Sequence, residues 1–526
     1  MMTRRQALRL MGYAAPLGLG GRMAFAQPQG MGEGPSAVDG QLTPGPFHAT
    51  RRSLEAYRMP EWYRDAKFGI WSHWGPQSGV EAGDWYARRM YEQGSDAYKH
   101  HVATYGHPSK VGYKDLIPMF KGAEWDPEHL MDLYQKAGAK YFFSMGVHHD
   151  NFDLWNSKYQ PRWNSVTMGP KTDIVGRYRE AARKRGLRFG VSEHLSNSFD
   201  WFATAHTSDV TGSLTGIPYD GVQAQFADLY HDYSGMPAGF AKGAEPMGRS
   251  APDRWKMQYF RRIKDLLDQH QPDLLYTDGG ISFEEYGQGT VAELYNVSAR
   301  RNSGNVEAIY FSKESRDCGG GTCALDRERG VLDEISAQPW QTDTCIGDWH
   351  YRRGVKYKTA KKVIDLLVDI VSKNGNLLLN FPLPNSGKLD AEEMVTLEGI
   401  TRWMQRNGEG IYESRPWKLS GEGPALLTVA GGGFNESKKP DLGAQDVRFT
   451  TKGPTLYAFV QGWPEGEFIV KALGTGSAQT PGKIEQVEML GWTERLKFVQ
   501  GAEALRVTLP KMEAPEIGSC LRVRFA

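Results

Sequence analysis

From about Trp62 to Pro382 short apolar runs alternate with amphipathic stretches, and their order predicts repeated helix–strand units. Asp126 followed by Pro127 marks a helix start, because a carboxylate accepts from the free amides of a first turn and proline lacks an amide that would need a partner there. Gly138 ends that helix, and Lys140 to Val147 follows as a buried strand. Asp173 caps a second helix over Ile174 to Arg185, before a strand over Leu187 to Ser192. A helix over Asp253 to Gln269 then delivers the chain into Leu274 to Thr277. Val363, Ile364, Leu366, Leu367, Ile370 and Val371 lie on one helical stripe that stops near Lys373-Asn374-Gly375, and Asn376 to Pro382 reads as the last buried strand. Strands that are apolar throughout and separated by helices imply a parallel sheet covered on both faces, and the best match is an α/β fold, a (β/α)8-like barrel.

Beyond Trp417 the texture changes to short strands with Gly/Pro turns: Asp446 to Thr450, Leu456 to Val460, Glu467 to Ala472, Ile484 to Leu490, Leu505 to Leu509 and Leu521 to Phe525. That pattern predicts a small antiparallel β-sandwich. Two polar, turn-rich interruptions, Thr204 to Arg249 and Arg316 to Cys323, read as long loops on the active face. The expected division is therefore a signal segment over 1–26, a flexible N-terminal arm over 27–50, a barrel over 51–417 and a sandwich over 418–526.

Length agrees with two domains, since 526 residues exceed the roughly 250 to 300 at which one core stops growing. The formal charge of +1, from 63 basic and 62 acidic side chains, comes without a basic block that would track phosphates, so nucleic acid is excluded as a partner. Fifteen Trp, 24 Tyr and 13 His supply flat apolar faces with hydrogen-bonding rims, which suit sugar rings. The first residues carry Arg4-Arg5, a weakly apolar stretch and Ala24-Phe25-Ala26, the three parts of a twin-arginine export signal, and this predicts a periplasmic or secreted protein. No later run is long and apolar enough for a membrane span, and a homo-oligomer stays open. Cys318 and Cys323 are close enough in sequence for a disulfide loop, but their Cys-x4-Cys spacing lacks the second pair of a zinc ribbon; a disulfide or free thiols are expected rather than a metal.

The chemistry concentrates in Gln271 to Gly280, where an apolar strand ends in Asp278-Gly279-Gly280 and so holds one carboxylate at the C-terminal edge of a barrel strand. With His73-Trp74-Gly75 and His148-His149-Asp150 upstream, Asp278 becomes the candidate nucleophile of a glycosidase. The two adjacent histidines are expected on opposite faces of a strand, which disfavours a shared metal.

Several blocks together carry a resemblance: Ala66 to Gly75, Asp84-Trp85-Tyr86, Lys140 to Trp155, Gly169 to Gly176, Tyr276 to Gly280, Trp340 to Tyr351, Asn374 to Pro382 and Asn407 to Tyr412. In this order they resemble the α-L-fucosidases of glycoside hydrolase family 29. The resemblance implies an exo-acting, retaining fucosidase without a metal or organic cofactor, acting on a fucosylated glycan. Asp278 matches the family's nucleophile. The acid/base lies in a variable stretch offering Glu314, Asp326, Glu328, Asp333, Glu334 and Asp343, and its offset from the Trp340 block selects Glu328, with Glu334 as the alternative. Arg327 and Arg329 beside it are expected to point away, because a cation would hold the acid deprotonated. His73, His148 and His149 resemble ligands of the fucose hydroxyls, with Asp84, Trp85, Tyr276 and Lys313 as further substrate contacts. Asp84 stands where the family more often has Glu, Tyr276 where it has Trp, and Lys313 in the role of a usual arginine. Glu193-His194 departs from a tyrosine-bearing strand end. These departures leave two alternatives: a glycosidase for a related sugar, such as a galactoside or substituted fucoside, or a non-catalytic fucose-binding barrel.

Overall fold

The structure, a computed structural model, describes residues 36–428, 431 and 433–526; the expected export signal over 1–26 lies outside the described residues. Residues 37–526 form one compact unit. Eight parallel strands close a barrel in chain order: β1 Phe68–Ser72, β2 Tyr141–Val147, β3 Arg188–Glu193, β4 Leu274–Thr277, β5 Ile309–Ser312, β6 Ala324–Asp326, β7 Trp340–Cys345 and β8 Gly375–Asn380. Closure is by β1 on β8, with Phe68 opposite Leu377. The interior is filled by large side chains, among them Trp71, Tyr141, Phe143, Leu274, Tyr276, Phe311 and Leu378, so the barrel is a packed core whose chemistry is confined to its ends.

The helix signals hold at the predicted places. Asp126 accepts from the amides of Glu128 and His129 ahead of helix Pro127–Lys136, and Asp173 accepts from Gly176 ahead of helix Ile174–Lys184. Helix Asp253–His270 runs into β4, and helix Ala360–Ser372, capped by Thr359, runs into β8.

The chain then forms β9 Arg415–Glu422, β10 Val447–Lys452, β11 Thr455–Val460, β12 Glu467–Val470, β13 Ile484–Met489, β14 Lys497–Gln500, β15 Leu505–Thr508 and β16 Ser519–Phe525. These make a five-stranded antiparallel sheet, β13-β16-β11-β10-β9, and a three-stranded one, β12-β15-β14, over a shared core that includes Phe449, Leu456, Phe468, Leu505 and Leu521. β9 and β14 escaped the sequence reading because each is an edge strand with a largely polar or half-exposed face.

Two expectations are corrected. Over 37–50 the chain is not a flexible arm: Val38, Phe47 and Ala49 are buried, Thr43 donates twice to Glu293, and the Phe47 amide donates to Asn296. Its few apolar residues lie too far apart for periodicity yet find sockets on helix Glu285–Arg301. The Gly/Cys-rich stretch is not an active-face loop either. A disulfide joins Cys318 to Cys323, and Cys323 immediately precedes β6. The loop shares a surface pocket with Gln338, Pro339 and Trp340 at the entry to β7, on the N-terminal side of the barrel. It is the connection that brings the chain back from the end of β5 to the start of β6.

Candidate active site

The chain leaves β1 to β5 through His73, His148, His194, Asp278 and Lys313, each the first residue past its strand, and all line one cavity of about 610 Å³. Glu328 joins them from just beyond β6, Asp343 from β7, and Asp84, Trp85 and Trp349 from the surrounding loops. The barrel explains the convergence, because parallel strands present successive C-terminal ends around one rim.

Lys313 Nζ donates to Asp278 Oδ1 at 2.6 Å and also to Glu328 Oε2. One ammonium in contact with both oxygens keeps them no more than about 5 Å from each other. Asp278 Oδ2 lies 3.1 Å from His149 Nε2 and 3.3 Å from His194 Nδ1. Burial raises the Asp278 carboxyl, but Lys313 and the two imidazoles outweigh it and hold the group well below the usual carboxylate range. Glu328 goes the other way. Burial, reinforced by Asp343 and Asp278, prevails over the pull of Lys313 and pushes it up to about 7. Trp349 Nε1 donates to its other oxygen at 3.1 Å. Lys313 itself stays charged: burial lowers it, yet Asp278 and Glu328 raise it well above the ordinary lysine value.

The Asp-Gly-Gly turn has a steric reason. Gly279 has φ +109°, a conformation that L side chains rarely adopt, and a Cβ on Gly280 would fall 2.5 Å from Asp317 Oδ2.

The imidazoles form the floor. Gln77 Nε2 donates to His148 Nδ1 at 3.0 Å, leaving the His148 proton on Nε2, which faces Asp84 Oδ1 at 3.7 Å. His350 Nδ1 approaches the same oxygen at 2.6 Å, and His149 Nδ1 donates to the His194 carbonyl at 2.7 Å. Burial pushes His73 and His148 well below the ordinary histidine value and His194 to about 4, so these rings are neutral and can both donate and accept. His73 Nδ1, His194 Nε2 and His350 Nε2 are buried without a hydrogen-bond partner among the described residues, an arrangement suited to the hydroxyls of a bound sugar. Three overlapping groups also have donor atoms near enough for a metal ion: His73, His148 and His194; Asp84, His148 and His350; His149, His194 and Asp278.

Asp278, Glu328, His73, Asp84, Trp85, His148, His149, Tyr276 and Lys313 all lie together, and of the other acids offered for the acid/base only Glu314 and Asp343 line the cavity, not Asp326, Asp333 or Glu334. Glu334 is exposed. His148 and His149 do not take opposite faces: β2 ends at Val147, and beyond it both rings turn into the cavity, 4.5 Å apart. Arg329 does not point away. It lines the cavity with its guanidinium 5.3 Å from the centre of the Trp349 ring. Tyr276 donates to Asp343 at 3.0 Å and forms a wall against Trp71.

The α-L-fucosidase family profile matches residues 36–409, and that of the α-L-fucosidase C-terminal domain matches residues 440–523. The chain belongs to the α-L-fucosidase family. It is 28% identical over 489 residues to the tissue α-L-fucosidase of Rattus norvegicus, covering 91% of each chain, and 29% identical over 480 residues to the plasma α-L-fucosidase of Homo sapiens, covering 89% of each. The crystal structure of Thermotoga maritima α-fucosidase superposes with a TM-score of 0.67 at 24% identity, covering 91% of this chain and 100% of that one, which establishes the shared fold. Within the family frame, sequence reasoning missed His350, Trp349, Met247 and Phe434. The first two lie inside the quoted Trp340–Tyr351 block, whereas nothing local marks Met247 or Phe434, which reach the cavity from the Thr204–Arg249 loop and from the segment after β9.

Proposed function

We propose that this glycoside hydrolase is an exo-acting, retaining α-L-fucosidase, with Asp278 as nucleophile and Glu328 as acid/base. The observation that carries this is the pair of carboxylates held close together by Lys313, one kept ionised and the other raised to about 7. Retaining glycosidases need two carboxyl groups about 5 to 5.5 Å apart, whereas inverting enzymes separate them by roughly 6.5 to 9.5 Å to admit a water. Asp278 attacks the anomeric carbon while Glu328 gives its proton to the glycosidic oxygen, releasing the aglycone as an alcohol and leaving a fucosyl ester on Asp278. Glu328, now a carboxylate, takes a proton from water, which attacks the same carbon and frees Asp278. His73, His148, His149, Asp84 and Trp85 receive the sugar.

The alternative of a related sugar rested partly on Glu193. That residue is buried and does not line the cavity; it accepts from Tyr259 at 3.0 Å and from the Leu195 amide at 2.9 Å, so its departure from the family pattern bears on the framework. A panel of aryl glycosides tests the sugar, with the α-L-fucoside expected to dominate.

The roles are tested with 4-nitrophenyl α-L-fucoside and azide. Asp278→Gly should lose at least a thousandfold in turnover and yield the inverted β-fucosyl azide, because azide then replaces the missing carboxylate. Glu328→Ala should yield the retained α-fucosyl azide. The opposite pairing of anomers would reverse the assignment. Export by the twin-arginine route is part of the proposal, and retention of an Arg4→Lys/Arg5→Lys chain in the cytoplasm would support it.

A further inference from the structure

The cavity changes character from floor to mouth. His73 and His149 are buried at its base, whereas two of its apolar lining residues are unusually open, Met247 at 41% and Phe434 at 59% exposure. Phe434 belongs to the segment after β9, outside the barrel strands, and its backbone is left-handed at φ 53°. A phenylalanine gains nothing by itself from that conformation or from exposure to water, so the surrounding contacts must impose both.

Those contacts tie it to one place. Asn435 exchanges hydrogen bonds with the backbone of Val331, at 2.8 Å and 3.0 Å, and the Glu436 amide donates to the carbonyl of Arg329 at 2.9 Å. Arg329 is itself left-handed at φ 45° and directly follows Glu328. Glu436 is also held from beneath, by Thr344 at 2.8 Å and Lys358 at 2.7 Å. Phe434 is thus mounted on the loop that carries the proton donor. A proton donor must face the glycosidic oxygen, so the leaving group departs on this side of the cavity.

We propose that Phe434, aided by Met247, forms the leaving-group subsite, a platform for the pyranose ring to which the fucose is attached. An exposed aromatic face offers apolar contact to the C–H face of a sugar while leaving its hydroxyls in water. The part of the chain outside the barrel therefore contributes to the choice of glycan, not only to stability. The inference rests on Glu328 as the proton donor.

The test compares leaving groups that bear a ring, in 4-nitrophenyl α-L-fucoside and fucosyl-lactose, with one that has none, in α-L-fucosyl fluoride. For Phe434→Ala in the full chain, the ratio of kcat/KM on ring-bearing substrates to kcat/KM on the fluoride should fall about tenfold relative to wild type. Phe434→Tyr should restore the ratio. An unchanged ratio, or an equal loss on all substrates with a lowered Tm, would overturn the subsite and leave Phe434 a structural role. A folded wild type that fails to cleave the fluoride would instead bring down the fucosidase mechanism on which the subsite depends.

Discussion

At the scale of single residues the charge balance turns on Lys313. Its ammonium stabilises the anionic forms of both Asp278 and Glu328, yet the two acids end far apart, because Asp278 also faces two imidazoles while Glu328 is buried with Asp343 and Asp278 as like charges. The expected profile of kcat/KM is therefore flat through mildly acidic pH. With the proposed roles, it falls as pH rises through about 7, where Glu328 as the acid/base would lose its proton, and on the acid side only well below the usual carboxylate range. Lys313→Met should move both limbs to higher pH, since it removes a cation that favoured ionisation of each group. A pH–rate profile that moves to lower pH would contradict the coupling. Asp278 was legible in the sequence because a strand followed by two glycines is a local signal. The direction of Arg329 was not, because the left-handed turn that aims it inward depends on β7 and on the segment after β9.

At the scale of elements, the strands place five site residues, but the loop after β2 needs a separate clamp. Arg262, on helix Asp253–His270, is fully buried and donates to both oxygens of Asp153, at 2.5 Å and 3.2 Å, and to Asn151. Asn151 adopts a left-handed backbone at φ 62°, two residues after His149. Removing one partner of a buried ion pair leaves the other uncompensated, so Arg262→Met should cost about 3 to 5 kcal/mol in urea unfolding and also lower kcat/KM as His149 loses its support. Stability unchanged to within ~1 kcal/mol would show that water replaces the clamp. The helices on either side were read from the sequence, Ile174–Lys184 from its Asp173 cap and Asp253–His270 as the segment that delivers the chain into β4. β6, three residues long, was not, since so short a strand has no period to detect.

At the scale of the whole molecule, the barrel and the C-terminal sheets are joined through a common core. Tyr457, Phe459 and Cys520 pack in the same apolar cluster as the barrel helices, and the Phe459 ring lies 6.1 Å from Trp403. Trp403 Nε1 donates to Gly518, and Asn407 accepts from the Cys520 amide. A buried ionic link adds to this: Arg448 and Lys373 both donate to Asp369, at 2.6 Å and 2.7 Å. Phe459→Ala should therefore destabilise by about 3 to 5 kcal/mol and shift one cooperative transition rather than split it. Two separated calorimetric transitions would show that the sheets melt independently.

The sequence by itself determined the barrel and the antiparallel sheets after it, because strand and helix periods, caps and glycine turns are local and each acts over a few neighbouring positions; the family was carried by the resemblance of its ordered motif blocks. Only the tertiary structure decided how His148 and His149 come to face one cavity, which acid stands beside Lys313, and that Phe434 reaches the mouth from more than a hundred residues beyond Glu328. Those outcomes depend on where loops land after the core has packed, and contacts between distant segments leave no period in the chain.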